Sequence, residues 1–267
     1  MLYKPQLPEV KKHIDHYWVL KRAVLQALDS SHMYAYPGIT PDMIIVLDGH
    51  YTITYMGKTF SSNRSLLFSF IHHSVHIDFS GLQSCIIVKF KSRGLSSLKP
   101  FLPFSADTIM RDSVAFADDV FGADFKTFNN RLLHIDPITW VDELDQWFAA
   151  AYKKEFEGFV VEMSQEVSKN CDLKVIMDAT GYSYSTLERY FKRETGLTPK
   201  RFQTLQRFKK ALRELHTTTN KNWQHYISKY DYYDQSHFIK EMRRFTGHTP
   251  SELLQVPSFI KVRPDYS

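Results

Sequence analysis

Two short stretches crowd together side chains able to grip or read a polyanion. Ser185 to Pro199 runs STLERYFKRETGLTP, and Asp234 to Pro250 runs DQSHFIKEMRRFTGHTP. Both set guanidinium, ammonium and hydroxyl groups between aromatic residues, and the second adds the amide of Gln235. Arginine donates bidentately to guanine O6 and N7, glutamine suits adenine N6 and N7, glutamate accepts from cytosine N4, and an aliphatic group can touch a thymine methyl. The first stretch, with the tyrosine before it, offers Tyr184, Ser185, Glu188, Arg189 and Lys192. The second offers Gln235, Ser236, His237, Ile239, Lys240 and Arg243. Arg189 is the strongest single candidate for a base edge. Glu188 reads equally as a solvent charge, Lys240 suits guanine or a phosphate, and His237 suits the DNA backbone or a packed place near the cap.

Such side chains read bases only if an element holds them on one face. Leu187 and Phe191, and Phe238, Met242 and Phe245, recur at helical spacing and form the inward face of two helices. Ser183 and Asp234 are N-cap residues by type, and Gly196 and Gly247 end the two helices. Thr198-Pro199 and Thr249-Pro250 cap and open the helices that follow. Asp172 caps an earlier short helix that Gly181 ends, and Asn222 starts another. Ser185, Leu187, Gly196, Thr198 and Pro199 match Ser236, Phe238, Gly247, Thr249 and Pro250, each pair 51 positions apart. A short helix, a turn and a capped second helix, stated twice, is a doubled helix-turn-helix pattern. The second helix of such a unit enters the major groove, and two units fit successive grooves about 34 Å apart. Lys200, Arg201, Lys209, Lys210 and Arg213 read as phosphate or solvent charges.

The stretch from about Asp172 to Leu254 resembles the AraC/XylS family of bacterial transcription regulators. Asp234 to Phe238 and Gly247 to Pro250 carry the resemblance, with Gly181-Tyr182-Ser183, Leu187, Phe191, Gly196 and Thr198-Pro199 in the first unit and Arg207 to Leu212 (RFKKAL) as the connecting-helix pattern. Asp231-Tyr232 stands where the family usually has Gly-Phe, and Met177 and Ile227 stand where it has small residues, which implies shifted helix packing. The resemblance implies an activator that binds double-stranded DNA at a promoter or operator and works beside RNA polymerase. In the family, the positions matching Tyr184, Ser185, Glu188 and Arg189 approach bases. It also implies an N-terminal domain that binds a small-molecule effector of unknown identity, forms a homodimer, or both.

The charge distribution agrees with a polyanion-binding segment. The chain of 267 residues carries 34 Lys and Arg against 29 Asp and Glu. Lys169 to Leu254 alone holds 16 basic and 9 acidic residues, leaving 18 against 20 elsewhere. A basic segment attached to a near-neutral one fits a nucleic-acid module with a second domain. There is no apolar run near the ~20 residues that span a bilayer and no signal-peptide core, so a soluble, cytoplasmic chain without a membrane partner is expected. Two cysteines, Cys85 and Cys171, fit a reducing compartment and read as small buried residues.

Upstream of Arg93 the sequence reads as strands. HYWVLKRAVL, DMIIVLDGHYTITYMGKTF and SCIIVKFKSRG are β-branched and aromatic, and Asp48-Gly49 signals a hairpin. FADDVFGADFKTFNNRLLHI and the stretch from Thr139 to Val167 are helical in spacing. The expected fold is α+β: an N-terminal mainly-β, barrel-like domain with helices, then an all-α domain with two helix-turn-helix units. The expected divisions are 1–151 for sensing or dimerisation, 152–169 as a helical connection, 170–256 for DNA binding and 257–267 as a tail. Trp18, Tyr51, Tyr55 and Phe90 would line a pocket in the barrel or fill its core, with core favoured. His72 and His76 share a strand face, but no partner histidine or glutamate is apparent in the sequence, so no metal, cofactor or catalytic residue is expected. The competing readings are a constitutive DNA-binding protein whose N-terminal domain only dimerises, and a metal-binding barrel enzyme with a DNA-binding tail.

Overall fold

A computed structural model describes residues 1–26, 31–38, 40–68, 73–91, 94–95, 97–98, 114–152, 173–195, 197–218 and 220–255. The expected connection at 152–169 lies, but for Tyr152, outside the described residues, as do the tail, Asp172, Gly196, Cys171 and His72.

Among the described residues, the N-terminal part holds ten strands in two antiparallel sheets. The larger has the order β1-β2-β9-β4-β7-β10, comprising Leu2–Tyr3, Ile14–Lys21, Leu82–Phe90, Asp42–Gly49, Leu66–Phe68 and Val114–Phe116. The smaller has the order β3-β8-β5-β6, comprising His32–Ala35, Val75–Asp78, Tyr51–Tyr55 and Lys58–Ser62. The barrel does not close; the structure is two stacked sheets. Burial explains the sequence pattern. Side chains alternate across a strand, and both faces of the larger sheet are covered. Met43, Ile45 and Leu47 of β4 pack with Tyr17, Val19, Ile86 and Val88 against helices α3 (Ala117–Leu132) and α4 (Trp140–Ala151). Ile44 and Val46 pack with Trp18, Leu20, Cys85 and Ile87 against the smaller sheet. A strand covered on both faces reads as a continuous apolar run, which is what MIIVL and CIIV are.

Two local expectations are corrected. Asp48-Gly49 is not a hairpin turn, because β4 and β5 belong to different sheets. Gly49 has φ +91, and a Cβ there would lie 2.4 Å from the Gly81 carbonyl oxygen, so this glycine turns the corner between sheets. The hairpin turn is Met56-Gly57, with φ 49 and 76 and with Tyr55 opposite Lys58; positive φ at both central residues is the turn that matches strand twist. HYWVLKRAVL is not one strand, since β2 ends at Lys21 and a short helix, α2, occupies Arg22–Gln26. A four-residue helix, α1 (Pro8–Lys11), precedes β2.

The four aromatic pocket candidates separate. Trp18 and Tyr51 fill the core between the sheets with Tyr55 at its edge, while Phe90 is in the core under the helices. His76, on β8, has a neighbouring-strand histidine after all: His32 on β3 stacks on it at 5.0 Å. Among the described residues no three His, Cys, Asp or Glu side chains gather around a metal position.

The C-terminal part is helical: α5 (Leu173–Thr180), α6 (Tyr184–Thr195), α7 (Pro199–Thr218), α8 (Trp223–Lys229), α9 (Gln235–Thr246) and α10 (Pro250–Leu253). One core joins them. Phe191 of α6 meets Phe202 of α7 edge-on at 5.4 Å, and Phe245 of α9 meets Phe208 of α7 at 4.7 Å. The 20-residue connecting helix α7 is therefore the shared spine of both units. Ile227 is buried in this core and Met177 packs at its margin.

Candidate nucleic-acid interface

The second helix of each unit is set by a side-chain cap. Asp234 Oδ1 accepts from the His237 amide at 2.7 Å, and Ser183 Oγ accepts from the Thr186 amide at 3.3 Å. Such caps satisfy amides that a helix start would leave orphaned. Thr198 accepts from the Arg201 amide, and Thr249 forms a reciprocal capping box with Glu252. Leu187, Phe191, Phe238, Met242 and Phe245 are all buried, so the register of α6 and α9 is fixed by five apolar anchors.

That register decides what faces outward. Tyr184, Ser185, Arg189 and Lys192 are exposed on α6, with Glu188 half-buried. Gln235, Ser236, Lys240 and Arg243 are exposed on α9, with His237 and Ile239 half-buried. Glu188 pairs with Lys192 one turn on at 2.7 Å, so these two candidates neutralise one another in the free chain. Arg189 lies over the Tyr190 ring at 5.7 Å and remains exposed. His237 serves the turn: its Nδ1 accepts from the Tyr233 amide at 3.3 Å and its ring meets Tyr232 edge-on.

The turns before the two helices differ. In the first, Gly181 has φ +68 and the cap, Ser183, follows two residues later. In the second, Asp231 has φ +53 and the cap, Asp234, follows three residues later. Asp231 thus takes the left-handed conformation that favours glycine, and the longer turn pushes out Tyr233, which is 91% exposed.

Two pairs of short helices, each with a capped, outward-facing second helix and sharing one spine, are now in place. Residues 176–255 match the family model described as a helix-turn-helix domain, of AraC type. This part of the chain is an AraC-type helix-turn-helix domain. The AraC-type match opens at Ile176, a buried residue of α5, and closes just beyond α10. No curated protein matches the chain. Among solved structures, ToxT from Vibrio cholerae O395 is similar at 12% identity, covering 90% of this chain and 95% of that one, with a TM-score of 0.45. ToxT from Vibrio cholerae in another crystal form gives 10% identity over 90% and 96%, with a TM-score of 0.47. Wild-type ToxT of strain SCE256 with a bound unsaturated fatty acid gives 12% identity over 89% and 93%, with a TM-score of 0.44.

Beside the AraC-type recognition helices, the structure corrects one sequence reading and adds two residues. Lys209 is not a solvent or phosphate charge: its Nζ reaches Thr40 Oγ1 at 3.3 Å, and its Cε lies 2.5 Å from where a Gly38 Cβ would be. Tyr233 is not among the sequence candidates, although an aromatic residue directly before a cap is a readable signal. Arg207 entered the sequence reading only as part of the connecting-helix pattern, because its partner lies 34 residues away and leaves no local trace.

Proposed function

We propose that the chain is a sequence-specific DNA-binding transcription regulator that acts as an activator. Its α6 and α9 would enter adjacent major-groove segments of an operator, with α7 holding them in register. The observation that carries this is the 51-residue repeat, which yields two capped helices with polar outer faces in the basic part of the chain. Tyr184, Ser185, Glu188, Arg189 and Lys192 would face the first segment. Gln235, Ser236, His237, Ile239, Lys240 and Arg243 would face the second, and Tyr233, jutting from the turn, would meet sugar or phosphate beside it. Phosphate contacts position such a protein, and base contacts give it its sequence preference.

The N-terminal sheets would sense a small-molecule effector, dimerise, or both, with the division between the parts inside 152–169. An effector changes DNA affinity only by binding one state of the protein better than another. Bound at a promoter in the cytoplasm, the protein would contact RNA polymerase. In this reading it is a binding protein and not an enzyme. Among the described residues, no helix is long and apolar enough to cross a membrane.

Selection of duplexes from a randomised pool by the purified chain, at low and moderate salt, tests the reading. Enrichment of two blocks about one helical turn apart is the expected result. Binding without preference that falls steeply with salt would mean that only phosphate attraction is present, and the reading would fail.

A further inference from the structure

The two helix-turn-helix units are built on one repeat but are not fastened alike. Glu241 of α9 and Tyr190 of α6 occupy equivalent positions, 51 residues apart. In the first unit, Tyr190 packs against Tyr182 of its own turn, with ring centroids 5.6 Å apart. In the second, Glu241 is buried and pairs with Arg207 of the connecting helix: Nε donates to Oε1 at 3.2 Å and Nη2 to Oε2 at 2.5 Å. The same guanidinium touches the long turn twice. Nη1 donates to the Asp231 carbonyl at 3.4 Å, and the group lies 4.5 Å above the Tyr232 ring. One side chain of α7 therefore holds both the turn that launches α9 and a residue midway along α9.

We propose that Arg207 is the positioning residue of the second recognition helix, fixing its angle to α7 and so its reading of the second DNA segment. The chemistry suits that role. A planar fork matched to a carboxylate fixes direction as well as distance, which an ammonium cannot do. The pair is half shielded, with side-chain exposures of 26% and 8%, so its geometry is held and little screened. Its role is one of orientation, since buried ion pairs are often matched in stability by apolar packing. Asp231 and Tyr232, the two departures from the family's usual Gly-Phe, are both contacted by Arg207. The clamp thus braces a turn whose backbone is in an unfavourable conformation. His237 closes the assembly, with Nε2 3.7 Å from Glu241 Oε2.

The inference rests on the DNA-reading function proposed above, and its test separates the two. The duplex selected by the full-length parent is altered in its first block, its second block or neither, and affinities are measured for the parent, Arg207→Lys and Glu241→Gln, with thermal melts alongside. Arg207→Lys keeps the charge and loses the fork; Glu241→Gln keeps the shape and loses the charge. For both variants the expected result is a roughly tenfold or greater loss of discrimination at the second block, with less than a twofold change at the first. Equal losses at both blocks, or no loss in a variant that melts as a folded protein, would overturn the positioning role. A parent that enriches no two-block duplex would overturn the DNA reading and this inference with it.

Discussion

Arg189 on α6 and Lys240 on α9 are exposed cations, and the structure shows neither in an ion pair with a residue of its own helix. Each is two positions from a buried anchor, Phe191 or Phe238, and so lies off the buried face, and its alanine variant removes a head group and leaves the core intact. Arg189→Ala and Lys240→Ala are each expected to weaken binding to the selected duplex by about 1–3 kcal/mol if they contact a base. Melting temperatures should be unchanged. A Lys240 that touches only phosphate would instead weaken binding to all duplexes alike and reduce the salt slope by about one. Asp231 gives a residue-scale test of stability. Left-handed backbone costs a non-glycine residue about 1–2 kcal/mol, while glycine costs ~0.5–1 kcal/mol in added freedom of the unfolded chain. Asp231→Gly should therefore raise stability by roughly 0.5 kcal/mol, read as a higher urea midpoint at constant slope, and leave the Arg207 contact to the backbone in place.

At the scale of elements, what the sequence discloses depends on how local its cause is. The caps at Ser183, Asp234, Thr198 and Thr249 and the spacing of Phe238, Met242 and Phe245 act within one or two turns, and the C-terminal helices were legible from them. Strand partners are set over longer separations: β4 pairs with β9 some forty residues on, and nothing at Asp48-Gly49 reveals that the next strand joins another sheet. The candidate face was legible for the same local reason, and its fastening through Arg207 and Glu241 was not. A second such fastening joins α7 to α8. Burial pushes the Glu214 carboxyl up, but hydrogen bonds from Tyr230, Lys229 and His225 outweigh it and bring its pKa from 4.5 to about 2. Because the folded value is the lower one, the stability that Glu214 contributes is complete above pH 4.5 and is lost as pH falls from there towards 2. Glu214→Gln should lower the melting temperature at pH 7 and flatten the acid limb of the stability curve in that window. A variant that keeps the parent's full acid limb would show that the network is not what the pH reads.

Across the whole molecule, the two parts touch through the segment that follows β3. The chain there belongs to the N-terminal sheets, yet the Tyr36 ring is buried in the core of the C-terminal helices. Tyr34 stacks near it and meets His248, which precedes α10, edge-on at 5.9 Å. Lys209 of α7 lies over Gly38, where any side chain would displace it, and reaches Thr40. The spine that packs against both α6 and α9 is thus also a surface against which the N-terminal part rests, so a change in that part has a direct mechanical route to α6 and α9. Removing a large buried aromatic side chain costs about 3–5 kcal/mol when the site cannot collapse. Tyr36→Ala should therefore destabilise the C-terminal helices by about 3 kcal/mol although the substitution lies outside them, and calorimetry of the full chain should show their transition moving below that of the sheets. Gly38→Ala, which leaves Tyr36 in place but crowds Lys209, should produce a smaller shift of the same transition. If both variants melted with the parent's single profile, the seam would carry no coupling, and an effector bound in the sheets would need another route to the DNA.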